Sequence, residues 1–232
     1  SHINFFDNQK VKPVSENSLN FVVYHSSKDN TSTNNLIFDN LKKQKKDFIF
    51  IIDAPKDLTN YIEQSSNPFS VKQINCFKDT QCVILSRFDA VDSGEFELSD
   101  SNKALWASYS YNNKMFTTLL LNEGTFSSKY FNKNKSITRL IDFIKSRDEP
   151  VILIGGFNSV PWSKRFKSLE TEASLFSKSG LEPNWPSVLP LPLRLPLDHI
   201  YAHPGINLFN VGLQAIPDSN YRAISGTLSI PK

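Results

Sequence analysis

Four consecutive apolar residues, Val151-Ile152-Leu153-Ile154, run straight into Gly155-Gly156 and then Phe157-Asn158-Ser159. Such a run is a buried strand that ends in a tight turn. A rigid sheet uses turns of this kind to present side chains to a ligand. Residues 197–202 (LDHIYA) and 218–224 (DSNYRAI) have the same strand-end character.

The rest of the pattern builds layers around that strand. Residues 19–25 predict a strand, residues 34–46 a helix with Leu36, Ile37, Phe38 and Leu41 at helical spacing, and residues 48–52 a second strand. Strand, helix and strand in close succession make a layered unit with a parallel or mixed sheet. Residues 57–64 predict a short helix capped by Asp57. Residues 71–77, 81–86, 94–98, 105–111 and 114–121 are short β-rich runs between polar turns, the signature of antiparallel strands. Helix returns at 134–147, with Ile137, Leu140, Ile141 and Ile144 on one face. A further helix opens at 163–169, with Trp162, Phe166 and Leu169 turned inward. The proline-rich segment 186–196, with Val188, Leu189, Leu191, Leu193 and Leu195 interleaved, reads as an extended lead into the Asp198 strand. Strands at 197–202, 207–213 and 222–230 close the chain. With residues 1–18 as an irregular lead-in and no repeat or linker, 19–232 reads as one domain. Its predicted form is a four-layered α/β sandwich, two facing mixed sheets flanked by helices.

Composition narrows the function classes. A hydrophobic fraction of 39%, with 12% aromatics, supports a packed core and excludes a disordered chain. No run reaches the roughly 18 apolar residues of a membrane span. The net charge of +3 is too small to argue for nucleic acid by itself. The basic run Lys42-Lys43-Gln44-Lys45-Lys46 reads as a solvated helix end whose lysines complement the dipole. Cys76 and Cys82 fall on opposite sides of a short hairpin, compatible with a disulfide or with two thiols. The start, Ser1-His2-Ile3, lacks an initiator methionine and reads as the edge of an excised domain. That leaves room for an upstream signal peptide or membrane anchor.

Several motifs recur in a telling order: Leu85-Ser86-Arg87-Phe88, then Gly155–Ser159 with Pro161-Trp162-Ser163, then Ser179-Gly180-Leu181 and Asn184-Trp185-Pro186, and last the run from Leu193 to His199. Together they resemble the endonuclease/exonuclease/phosphatase (EEP) superfamily, of DNase I-like fold, whose motif at the first glycine pair reads Gly-Asp-Phe-Asn. Within it they are similar to a bacterial branch often anchored in the inner membrane, which implies a periplasmic or otherwise exported domain. Enzymes of the superfamily hold Mg²⁺ or Mn²⁺ with oxygen ligands. An aspartate orients the attacking water, and a histidine and asparagines stabilise the developing charge.

Carried over residue by residue, that chemistry is largely gone. The family's first asparagine falls on His25. Its metal-binding glutamate falls on Ala54, or on Asp53 after a one-residue slip. The central histidine or tyrosine falls near Asn122-Glu123, the motif aspartate on Gly156, and the terminal Ser-Asp-His on Ser219-Asn220-Tyr221, with Arg222 kept. Asn158 and Asp198 match retained functional positions. The resemblance therefore implies a catalytically inactive protein with no metal cofactor, which binds a partner protein or a phosphorylated ligand. Asn158, Asp198, Tyr221, Arg222 and His25 are the candidate contacts, with Asp198 expected to accept a hydrogen bond from the Tyr221 hydroxyl.

A rival reading is a metal-dependent phosphodiesterase, phosphatase or nuclease with a rebuilt centre. His25, Asp53, Asp57, Glu123, Asp198 and Tyr221 would supply it, and Asp53, Glu123 and Asp198 would ligate Mg²⁺ or Mn²⁺, or Zn²⁺ with histidine. Convergence of three such groups on one point distinguishes the two. A third reading places nucleic acid on Lys164, Arg165 and Lys167, against the simpler view of an exposed helix face. No Ser/His/Asp hydrolase signature, phosphate-binding Gly-Lys loop, zinc-knuckle spacing or dinucleotide fingerprint is present.

Overall fold

Period-two alternation splits the long strands between separate cores. In β1 (Ser18–His25), Leu19, Phe21 and Val23 enter one core, and Val22 and Tyr24 another. In β2 (Phe48–Pro55), Phe48, Phe50 and Ile52 share the first core with β1, and Ile49 and Ile51 share the second. In β8 (Val151–Gly156), Ile152 and Ile154 join the first core from the other side, while Val151 and Leu153 pack into a third. A central core between two sheets, with one outer core on each, gives four layers. The computed structural model describes residues 18–26, 35, 38–39, 42–66, 68–77, 80–99, 102–123, 133–179, 182–216 and 219–230.

The first sheet contains β1, β2, β3 (Ser70–Phe77), β4 (Thr80–Ser86), β11 (Asn207–Gln214) and β12 (Ala223–Ser229), in the order β11-β12-β1-β2-β4-β3. The second contains β5 (Asp92–Ser99), β6 (Asn102–Tyr111), β7 (Lys114–Asn122), β8, β9 (Phe176–Ser177) and β10 (Asp198–Ala202), in the order β5-β6-β7-β8-β10-β9. The pair Phe77–Asn102 joins the two. Both are mixed: β1 runs parallel to β2, and β7 parallel to β8, within otherwise antiparallel ladders.

Helix α1 (Lys56–Gln64) covers the first sheet with Leu58 and Ile62, beside Phe38. Helices α2 (Lys133–Lys145) and α3 (Lys164–Ala173) cover the second with Leu140, Ile141, Ile144, Phe166 and Leu169. The predicted helix at 34–46 is described only in part: Asn35, Phe38, Asp39, Lys42 and Lys43 are helical, and Gln44 and Lys45 turn out of it. Residues 1–17 of the predicted lead-in lie outside the described residues, and Ser18 already belongs to β1.

Local expectations need three corrections, at Asp57, at Trp162 and over 186–196. Pro55, not Asp57, is the N-cap of α1, and Asp57 sits exposed in its first turn, where a carboxylate still suits the dipole. Trp162 is 68% exposed, because it lies in the turn before the Ser163 N-cap and so off the buried stripe of α3. The segment 186–196 is not simply extended: Leu191–Leu193 form a 3₁₀ turn, and Trp185 pairs with Leu195. Cys82 lies opposite Ile74 in the β3–β4 ladder, offset from Cys76, whose side chain is outside the described residues.

Candidate functional site

Topology gathers the predicted residues at one end of the sandwich. β1 ends at His25, β7 at Asn122 and β8 at Gly156, and Asp53 lies near the end of β2. β10 runs the opposite way and begins there, with Asp198 paired to Gly156. Tyr221 and Arg222 lead into β12, which also begins there beside β1. These residues come from both sheets, so the cluster bridges the mouth of the central core.

A β-bulge settles which residue of β2 faces the cluster. The β2–β4 register shifts between Ile51 and Ala54, and Asp53 adopts a left-handed φ of 61°. A bulge of this kind re-aims one side chain against the strand's normal alternation. Asp53 is thereby turned toward His25, while Ala54 is buried in the outer core with Leu58 and Ile62.

His25 is the hub. It is 4% exposed, and its Nδ1 donates to Asp198 Oδ1 at 2.9 Å. Its Nε2 stands 3.6 Å from Asp53 Oδ2, an ion-pair distance rather than a hydrogen bond. Burial by itself would push the imidazole pKa down. The Asp198 charge and hydrogen bond, reinforced by Asp53, outweigh that and lift it to about 10. His25 is thus an imidazolium at neutral pH. The Tyr221 ring stacks on it, with centroids 3.8 Å apart and planes 8° from parallel. That geometry sets a π face against a cation. Burial, and then the charges of Asp198 and Asp53, push the Tyr221 hydroxyl pKa well up, so it stays protonated.

Asp198 is fully engaged. Its Oδ2 accepts from Asn184 Nδ2 at 2.5 Å, and Asn184 Oδ1 accepts from the Leu197 N–H at 3.0 Å. Asn184 is the functional residue that the sequence reading missed; its motif was visible, but no rule of spacing ties an amide to a carboxylate on another segment. The expected Tyr221-to-Asp198 hydrogen bond is also corrected. The imidazole has taken that carboxylate oxygen, and Tyr221 lies over the ring instead.

Gly156 shows how tightly the space is filled. A Cβ there would lie 3.0 Å from His25 Cε1, 3.2 Å from Asp198 Oδ1 and 3.3 Å from Asn122 Oδ1. The remaining candidates stand around this centre. Glu123 is buried, and its N–H donates to the Gly156 carbonyl at 2.9 Å. Asn158 is half-buried in the turn after β8, with a left-handed φ of 45°. Asn220 is exposed, and its carbonyl accepts from the Ser187 N–H. Arg222 donates its N–H to the Asn184 carbonyl at 2.9 Å. Lys164 and Lys167 are exposed on α3, and the Arg165 side chain is outside the described residues.

Four of the six candidate groups, His25, Asp53, Asp198 and Tyr221, do converge, as the rival reading asks, but on one another and not around an open point, and in this arrangement they do not fit a divalent cation. Asp53 and Asp198 approach opposite nitrogens of one imidazolium, which separates them and already offsets part of their charge. Both Asp198 oxygens have partners. Among the described residues, no three His, Cys, Asp or Glu side chains are grouped to hold a metal.

Residues 80–225 match the sequence model of the Endonuclease/Exonuclease/phosphatase family, more than half of the chain. The chain belongs to that family. Its fold is similar to that of the endonuclease/exonuclease/phosphatase from Bacteroides vulgatus, with a TM-score of 0.76 at 12% identity over 92% of this chain and 99% of that one. The mannosyl-6-phosphatase of Bacteroides thetaiotaomicron matches with a TM-score of 0.71 at 14% identity, covering 91% and 100%. D. rerio TDP2, complexed with a single-strand DNA product, matches with a TM-score of 0.75 at 12% identity, covering 91% and 99%. A search of curated protein sequences found no match. At these identities the likenesses speak for the EEP fold alone. Two mixed six-stranded sheets with flanking helices are the sandwich expected of an EEP chain.

Proposed function

We propose that this EEP protein does not hydrolyse phosphoesters and acts by binding a partner protein or a phosphorylated ligand at its strand-end face. The observation that carries this reading is the filled space over Gly156, where the His25 imidazolium stands 3.0 Å from any added Cβ. An enzyme of this kind needs room for a cation and an oriented water, and the imidazolium with its two carboxylates takes up that room. Each lost acid, base or charge stabiliser typically removes about a hundredfold to ten-thousandfold in rate. With Gly156, Asn220 and Tyr221 at the matching positions together, and with Asp53, the acid that the bulge turns inward, held against His25, turnover by the ordinary route is negligible.

The test is calorimetric titration of the protein with Mn²⁺ and Mg²⁺, followed by an assay of bis(p-nitrophenyl) phosphate hydrolysis with each metal. The expected result is neither saturable binding at millimolar metal nor turnover above buffer. Saturable binding that Asp198→Ala or Asp53→Ala abolishes, with turnover to match, would establish the rival reading of a metal-dependent phosphatase or nuclease. That rival draws on the activities named for the similar proteins, and it requires His25 to leave the space it fills.

A further inference from the structure

Before β10 the chain leaves the sandwich, makes a closed loop and returns. Trp185 and Leu195 exchange backbone hydrogen bonds of 3.1 and 2.6 Å at its neck. Inside, the Leu189 N–H donates to the Pro186 carbonyl, the Leu193 N–H to Pro190 and the Arg194 N–H to Leu191. Arg194 Nε donates to the Leu189 carbonyl at 2.6 Å. The Ser187 N–H donates to the Asn220 carbonyl at 2.8 Å and ties the loop to the segment before β12. These bonds close the loop on itself at its neck and tie it to the segment before β12.

Those side chains are apolar. Val188 is 80% exposed and Leu193 62%, and Leu189, Leu191 and Leu195 are exposed as well. Single exposed leucines need no explanation, but a contiguous set on one ordered loop marks an interaction surface. Trp162, exposed in the turn after β8, stands at the same end of the second sheet, because β8 ends where β10 begins.

Charge and size identify the partner. Between Pro183 and Leu197 the only charged residue is Arg194. Arg222 sits at the loop's foot, its N–H on the Asn184 carbonyl, and its buried Nε has no hydrogen-bond partner. Arg194 directly precedes Leu195 of the neck and Arg222 is bonded to Asn184 on the neck's other side, so both cations stand at the loop's base. The five side chains expose on the order of 400 Å², about half of what one partner gives to a standard protein interface. A small, exposed, apolar loop with cations at its base suits a bilayer boundary, where side chains pass beneath the headgroups and guanidinium groups meet phosphates.

We infer that the 186–195 loop docks this protein on an anionic phospholipid surface, its five apolar side chains entering the headgroup–acyl boundary and Arg194 and Arg222 meeting lipid phosphates. The inference stands whether or not the His25 cluster hydrolyses anything. Docking in this way turns the strand-end face toward the lipid, because Trp185 at the loop's neck lies 6.4 Å from Tyr221 between ring centroids.

The experiment is co-sedimentation of the full chain with phosphatidylcholine vesicles and with vesicles that also contain phosphatidylglycerol. The protein is expected to partition onto the anionic vesicles and to be released by high salt. The Val188→Ser/Leu193→Ser double variant is expected to lose binding by tenfold or more, since about two apolar side chains no longer enter the interface. Both positions are exposed, so its thermal melt should match the parent. Arg194→Gln is expected to weaken binding to anionic vesicles by about fivefold, the effect of one basic residue near such a surface. No sedimentation with anionic vesicles at low salt overturns the inference, as does binding that the double serine variant leaves intact. Self-association in analytical ultracentrifugation that the variant abolishes, without vesicle binding, assigns the loop to a protein partner and also overturns it.

Discussion

His25 and His203 lie at opposite ends of the strand layer that contains β8, the first beside Gly156 and the second beside Val151. Burial presses on both rings. At His25 two carboxylates overrule it and the ring is charged. At His203 only a hydrogen bond to the Ala173 carbonyl counters it. Nδ1 accepts from the Val151 N–H at 2.9 Å, so Nε2 donates to the Ala173 carbonyl at 3.0 Å, and the ring stays neutral with its pKa lowered. The His203 end is a structural clasp that ties β8 to the end of α3. The other end uses the same side chain as a cation held between two carboxylates. Neighbours, not residue type, decide whether a strand end is a clasp or a charge site.

The largest effect should come from breaking the charge site. Asp198→Ala leaves the His25 imidazolium buried with only the more distant Asp53, and removing one partner of a buried pair costs about 3–5 kcal/mol. Urea denaturation at neutral pH measures it. A loss below about 1 kcal/mol, as for an exposed pair, would erase the distinction between the two ends.

Next in size is crowding at Gly156. Gly156→Asp should cost about 2–4 kcal/mol, from steric overlap with His25 and from a second carboxylate beside Asp198. His25→Asn should relieve part of it, with a coupling of about 1–3 kcal/mol in a double-mutant cycle. Strict additivity would show that His25 does not occupy the space claimed for it.

Much of this was readable in the chain, for definite reasons. The apolar run into Gly155-Gly156 and the alternation in β1 and β2 announce strands covered on both faces, which is why the layered architecture was legible. That a glycine, Gly156, stands where the family motif reads aspartate was equally plain. The pairing of His25 with Asp198 was not, because the two are 173 residues apart and the aligned Tyr221 was the natural partner. The choice between Asp53 and Ala54 was hidden by a bulge, which reverses side-chain parity without leaving a mark on composition. Trp162 was misread because an apolar residue beside a helix start was taken as inward and here faces out, and the 186–196 segment because its prolines suggested extended chain where the backbone closes into a turn.

Titration should separate the two histidines by sign. His25 has a folded pKa of about 10 against an ordinary 6.5, so the native state holds a proton that the unfolded chain has released between those values. Its contribution is fully present below about pH 6.5 and is lost as pH rises through about 10, with a slope of up to about 1.4 kcal/mol per pH unit. His203 runs the other way. Its lowered pKa gives a contribution that is present above 6.5 and lost as pH falls through the folded value. Urea midpoints across pH should show the alkaline decline flattened in His25→Asn and retained in His203→Gln.

The smallest effect is at the clasp. His203→Ala removes an acceptor from the Val151 N–H and a donor to the Ala173 carbonyl. The ring is only half-buried, so water can replace both partners, and a cost of about 1–2 kcal/mol follows. His203→Gln, which can offer an acceptor and a donor, should recover part of that. The same exchange at His25 should recover little, because an amide supplies hydrogen bonds but not the positive charge between Asp53 and Asp198. Equal rescue at both ends would mean that His25 is held by hydrogen bonding alone, and the case for a built-in cation at the strand-end site would fall with it.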